Sequence, residues 1–202
     1  LKKAIESGKE WLLLLDQDTE IPEDYFFKLQ EFLKQGYKHN LAAIVPVLKS
    51  GNKILSPKKV SPFLRIETNI MTKRYYDRLT AINSLSLIKV DFLKSLGGFK
   101  NEYQLDMLDR WLYRKIMNKS KLVYVLDASS QHNLSFLNFE KNVTPERYAE
   151  FIKIENKFIS EEFNIIYFMY YKMKLFIKSI LQLVRYKNKT YSMITFSYIF
   201  KK

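Results

Sequence analysis

Trp11-Leu12-Leu13-Leu14-Leu15-Asp16-Gln17-Asp18-Thr19 is the stretch on which the reading of this chain turns. Five apolar residues run straight into two carboxylates spaced two apart. An apolar run this short, ended by charge and followed by Pro22, predicts a buried strand of a parallel sheet. In extended chain, residues i and i+2 point to the same side. Asp16 and Asp18 are therefore expected to lean together over the carboxyl end of the strand, where open α/β sheets place their ligands. Two hard oxygen donors on one side suit Mg²⁺ or Mn²⁺, which bind through one or two carboxylates plus substrate phosphates. The plainer alternative is that Asp18 or Thr19 caps a helix starting near Pro22. A cap uses one such residue and leaves half of the pair unexplained.

Outward from this stretch, residues 2–8 read as the end of a helix stopped at Gly8. Pro22-Glu23-Asp24-Tyr25 opens a helix whose Phe26, Leu29, Phe32 and Leu33 recur at helical spacing and are expected to face inward, with Gly36 at its end. Leu41 to Val47 is a second apolar run and a core strand. From Lys49 to Tyr76 turn signals dominate, with short strands expected at 53–55 and 64–68. Lys73-Arg74-Tyr75-Tyr76 reads as a basic turn with packed aromatics, or as a contact for an anionic or sugar-like ligand. Thr80 to Val90 is rich in β-formers and is expected to be extended, leading into a short helix at 91–96. Gly97-Gly98-Phe99 is a break where the backbone bends sharply or lets a ligand come close. Leu122 to Leu126 is another strand, with Gln131-His132-Asn133 just beyond it. Thr144-Pro145-Glu146 starts a helix with a cap residue and Pro at the first position.

The chain has 202 residues and 47% hydrophobic content, enough for a substantial core. It has no cysteine, which excludes disulfides, thiolate metal sites and cysteine nucleophiles and is compatible with a reducing cytosol. The net charge of +13 is unevenly placed. No acidic residue follows Glu162, and the last 40 residues carry eight Lys and Arg. The first 162 hold 26 basic and 21 acidic residues, an ordinary balance. The basicity belongs to the tail and does not mark a nucleic-acid binder.

A second carboxylate pair lies in Leu105-Asp106-Met107-Leu108-Asp109-Arg110-Trp111, a stretch with helical spacing. At i and i+3, Asp106 and Asp109 are expected to share one side of a helix start, where the dipole keeps a carboxylate ionised. An ionised carboxylate within hydrogen-bond reach of a hydroxyl is a general base. The bland alternative is an i, i+4 pair of Asp106 with Arg110, worth little at a surface.

Taken together, Leu-Leu-Leu-Leu-Asp16-Gln17-Asp18-Thr19, Gly97-Gly98-Phe99, Leu105-Asp106-Met107-Leu108-Asp109-Arg110-Trp111 and His132 resemble, in order and separation, a family 2 glycosyltransferase of the GT-A type, near the rhamnosyltransferase-like branch. The resemblance spans roughly residues 1–135. It implies an α/β fold, a partial Rossmann-like mixed sheet with flanking helices, over residues 1–140, followed by a helical, basic and aromatic tail over 141–202. It also implies an inverting transfer from a nucleotide-diphospho-sugar, a dTDP- or UDP-sugar, to a hydroxyl of a glycan or lipid-linked acceptor in surface polysaccharide synthesis. Asp16 and Asp18 then correspond to the D-x-D motif that holds the metal on the diphosphate. His132 resembles a histidine of the branch and is a third metal ligand or a contact to the diphosphate, the alternative being a satisfied strand-end histidine. Asp106 or Asp109 corresponds to the base. Gly97 and Gly98 lie where the donor would be contacted; Arg110 and Arg114 either face its phosphates or are ordinary helix-surface arginines. The family's base motif is a neighbouring acidic pair, whereas this chain has Asp-x-x-Asp. The nucleotide-binding half that normally precedes D-x-D is almost absent from residues 1–202, so the isolated chain is expected to be weak or inactive.

Two rival readings stand beside this one. Haloacid-dehalogenase-type phosphatases also open with an apolar run into Asp-x-Asp, but need a later acidic pair directly after a strand. A non-catalytic membrane-surface module would leave Asp16 and Asp18 without a metal. The tail supports membrane contact on its own terms. At about 100° per residue, Lys174, Lys178 and Arg185 fall on one stripe, with Ile166, Met169, Met173, Ile177 and Val184 on another side, the make-up of an interfacial helix on an anionic membrane. The alternative is a terminal helix that packs on the catalytic domain through the same apolar face. The expected location is cytoplasmic, peripheral on the inner face of the plasma membrane.

Overall fold

A computed structural model describes residues 1–16, 19–61, 66–67 (backbone only), 70–103, 106–132 and 143–201. The chain forms two compact units, one of Leu1–Lys100 with Asp109–Asn133, the other of Asn101–Leu108 with Leu134–Lys202.

In chain order the first unit holds α1 (Lys2–Glu6), β1 (Trp11–Leu14), α2 (Tyr25–Lys34), β2 (Leu41–Ser50), β3 (Lys53–Ser56), β4 (Lys58–Val60), β5 (Ile66–Glu67), β6 (Arg74–Tyr76), β7 (Leu79–Thr80), β8 (Ser86–Lys89), α3 (Val90–Ser95), α4 (Leu108–Asn118) and β9 (Leu122–Gln131). The main sheet is mixed, in the order β1-β8-β2-β9-β6 with β3 on β2, and β5-β4-β7 form a small second sheet. The fold is thus α/β with a mixed sheet and flanking helices.

The opening apolar run does form a strand, but not a parallel one. β1 runs antiparallel to β8, from Trp11 opposite Lys89 to Leu14 opposite Ser86, at the edge of the sheet. All four of its residues are half-buried rather than buried, as suits an edge strand, with Trp11 and Leu13 packed on the core. The parallel pair is β2 with β9. Its ladder shifts register between Val45 and Val47, at Pro46, whose missing N–H cannot pair in a central strand.

Against this sheet lies α2, through Tyr25, Leu29 and Phe32. Phe26, expected inward, is 53% exposed, because the buried stripe is phased on Tyr25 and its i+4 and i+7 partners. Tyr25 is fixed by its hydroxyl, which donates to the Leu85 carbonyl at 2.7 Å. Phe32 stacks on Tyr124 of β9 with centroids 3.8 Å apart. Lys73-Arg74-Tyr75-Tyr76 is the turn into β6 and β6 itself, antiparallel to β9, with Tyr75 packed on Tyr124.

The region 80–90 is not continuously extended. After β7 the chain turns through Asn83, Ser84 and Leu85, with Leu85 at φ 56° and Ser86 N–H bonded to the Asn83 carbonyl at 2.9 Å, before β8 begins.

Among its described residues the second unit contains a 3-10 turn (Asn101–Tyr103) and the helices α5 (Pro145–Glu162), α6 (Ile165–Arg185) and α7 (Thr190–Ser197). Thr144 caps α5 by accepting from Arg147 N–H at 3.3 Å, and Asn164 caps α6 by accepting from Tyr167 N–H at 2.9 Å. The Tyr103 hydroxyl donates to Glu161 at 2.9 Å, and its ring meets Phe158 edge-on at 5.7 Å, which ties the turn to α5.

Candidate functional site

The loop after β1 is held at two points. Thr19 and Ser84 share a hydroxyl–hydroxyl hydrogen bond, and the Ser130 hydroxyl donates to the Glu20 carbonyl at 2.7 Å. These bonds bring the loop that carries Asp16 to the turn before β8 and to the end of β9. Asp16 lies beyond the last strand residue, exposed, and its carbonyl accepts from Thr19 N–H at 3.3 Å. Asp18 lies outside the described residues.

Both anchors adjoin a buried polar atom that has no partner among the described residues: Asn83 Oδ1, next to Ser84, and His132 Nδ1, two residues beyond Ser130. His132 is 7% exposed, and its backbone N–H donates to the Lys49 carbonyl at 2.8 Å, which fixes the residue at the carboxyl ends of the parallel strands β2 and β9. An orphaned, buried imidazole nitrogen calls for a ligand, and imidazole is a good donor to Mn²⁺ and other transition metals. The buried Nδ1 of His132 thus has the chemistry of a metal donor. Among the described residues no three His, Cys, Asp or Glu side chains converge, so a metal set would need Asp18 or a ligand's own oxygens.

A polar cleft of about 300 Å³ opens at these same strand ends, lined by Asp24, Lys28, Lys49, Thr72, Asp127 and Ser129 among others. Asp24 lies 2.6 Å from Lys28 Nζ and raises that ammonium's pKa above its ordinary value. Lys73, 3.2 Å away, together with the Thr72 hydroxyl, lowers the pKa of Asp127 below the usual carboxylate value. The cleft thus presents ionised groups of both signs.

Gly97 and Gly98 have a structural task. Gly98 N–H donates to the Leu93 carbonyl at 3.0 Å and Gly97 N–H to that of Lys94 at 2.9 Å, the paired bonds of a Schellman cap on α3. Their φ angles of 78° and 99° are the reason for glycine there.

The second acidic pair is arranged differently from the sequence expectation. α4 starts at Leu108, so Asp109 lies in its first turn while Asp106 precedes it. Between them Met107 takes φ 64°, which breaks the helical i, i+3 relation. Asp106 pairs not with Arg110 but with Arg147 of α5, through both carboxylate oxygens at 2.6 and 2.7 Å. Arg110 and Arg114 lie on α4.

Asn83, Ser84, Ser130, Lys49 and the Lys28–Asp24 pair were not singled out from the sequence. The one local signal was polarity: Asn83-Ser84 interrupts a β-forming run, and Ser129-Ser130 breaks an apolar strand just before His132. In comparisons with models of known families and with curated proteins, nothing matches this chain at a significant level.

Proposed function

We propose that the chain is the metal- and acceptor-side part of an inverting glycosyltransferase that uses a nucleotide-diphospho-sugar donor. The observation that carries this reading is the pinning of the Asp16 loop to Ser84 and Ser130, beside a buried His132 whose Nδ1 has no partner among the described residues. Asp16, Asp18 and His132 are the residues that would hold Mg²⁺ or Mn²⁺. When bound, the ion offsets the negative charge of a diphosphate leaving group.

Within this reading the base is Asp106 or Asp109. Both oxygens of Asp106 are engaged by Arg147. Asp109 sits in the first turn of α4, where the helix dipole favours the ionised form. The cleft with Lys28 and Lys49 offers cations for phosphate and hydrogen-bonding groups for a sugar. β1 pairs on one side only among the described residues, which leaves a sheet edge beside Asp16.

The test is Mn²⁺ binding to the 202-residue chain, followed by electron paramagnetic resonance with and without UDP or dTDP. Wild type is expected to bind, more tightly with nucleotide, and Asp16→Asn, Asp18→Asn and His132→Gln each to weaken binding. Wild-type affinity unchanged by all three substitutions would sink the assignment.

A further inference from the structure

The helical second unit buries polar groups beside apolar ones such as Ile152, Phe158 and Leu175, and leaves many large apolar side chains outside. The side of α6 that turns inward carries Tyr171, Lys172, Leu175, Ser179 and Gln182. There Gln182 Nε2 donates to the Tyr148 hydroxyl at 2.9 Å, Tyr148 and Thr195 share a hydrogen bond of 2.6 Å, and the Thr195 hydroxyl returns to Gln182 Oε1 at 2.6 Å, closing a circuit between α5, α6 and α7. The Ser192 hydroxyl of α7 donates to the Ser179 carbonyl at 2.7 Å. Lys172 is buried, and its ammonium donates to Asn156 Oδ1 and to the Tyr198 and Lys201 carbonyls at 2.5–2.6 Å.

The outer side is the reverse. Ile166, Met173, Ile177 and Val184 of α6 and Met193 and Phe196 of α7 are all exposed, with Ile166 and Val184 at 76%. Between the two helices runs an apolar cleft of about 400 Å³, lined by Phe176, Ile180, Leu183 and Met193 among others. Small and hydroxyl side chains between helices, cross-helix hydrogen bonds inside and large apolar side chains outside are the pattern of helices that pack in lipid. In water the outer residues would be expected inside.

Two features select the occupant of this face. Lys174, Lys178 and Arg185 form a stripe flanking the apolar side, and no acidic residue follows Glu162. A second copy docked symmetrically would set like charges against like, whereas anionic headgroups complement them. No helix among the described residues is long and apolar enough to cross a membrane. We infer that α6 and α7 form a two-helix wedge that lies in one leaflet of an anionic membrane, with the Ile166–Val184 side and the interhelical cleft among the acyl chains. The lysine and arginine stems lie along the apolar surface, and their charged ends reach the headgroups. This holds whatever the chemistry at Asp16.

The experiment is flotation of the whole chain with neutral phosphatidylcholine vesicles and with vesicles that also contain phosphatidylglycerol. Binding is expected to the anionic vesicles, weaker by an order of magnitude or more in Ile177→Glu/Val184→Glu. Lys174→Gln and Arg185→Gln are each expected to lower affinity about 5-fold. Since the chain has no cysteine, a fluorophore on Val184→Cys is unique; it is expected to be quenched by acyl-chain spin labels, and one on Lys153→Cys of α5 is not. Circular dichroism confirms that each variant is folded. Equal binding to both vesicle types, or no binding by the folded wild type, overturns the proposal. So does a concentration-dependent dimer that Ile177→Glu/Val184→Glu dissociates in the absence of vesicle binding, which assigns the face to a second copy.

Discussion

The Asp106 carboxylate is gripped by the Arg147 guanidinium fork, Oδ2 at 2.6 Å from Nη1 and Oδ1 at 2.7 Å from Nη2. The aspartate side chain is almost fully buried and the arginine about one-third exposed. A charged pair with this geometry holds the turn before α4 onto α5.

Breaking it leaves a buried carboxylate unpaired. Arg147→Gln is expected to lower stability by about 2 kcal/mol, and Arg147→Lys by less, since charge remains but the fork is lost. Urea unfolding measures both. If Asp109 is the base, Asp109→Asn abolishes transfer in an active enzyme, whereas Asp106→Asn, which removes one half of the buried ion pair, lowers stability.

Ser130 holds the loop that carries Asp16, and on the proposed reading it would tune a metal there without touching it. Ser130→Ala removes the donor to the Glu20 carbonyl, and a supporting bond of this kind tunes affinity about 10-fold. Mn²⁺ titration is expected to show that loss with the thermal midpoint nearly unchanged.

At the α3 cap, Gly97→Ala is expected to cost about 1 kcal/mol by urea unfolding. The cause is its φ of 78° alone, because a Cβ there meets nothing within 4 Å. Mn²⁺ affinity should not change, which separates capping from ligand contact.

Asp127 supplies the pH dependence. Its folded pKa lies below the ordinary 3.8, through the hydrogen bonds from Lys73 and Thr72. The stabilisation it contributes is complete above 3.8 and is lost as pH falls through the lowered folded value. Carbon-13 NMR titration is expected to find its midpoint below 3.8, returning towards the ordinary value in Lys73→Met/Thr72→Val.

Local chemistry was legible along the chain. The Thr144 cap with Pro145, the Gly97-Gly98 stop after α3, and the apolar runs that become β1, β2 and β9 all rest on interactions within a few residues. So does the separation of α6 into an apolar side and a side with polar groups. Tertiary structure decided which side of each element meets what. β1 is an antiparallel edge strand because its hydrogen-bonding partner is β8, more than seventy residues on, and an apolar run carries no mark of that partner. Asp106 could have paired at i+4; it pairs with Arg147, 41 residues away, because Met107 turns it out of the helix. Helical periodicity shows that α6 has two sides but not which one turns inward. The closed circuit of Tyr148, Gln182 and Thr195 satisfies the polar side within the unit, and that leaves the apolar side facing out.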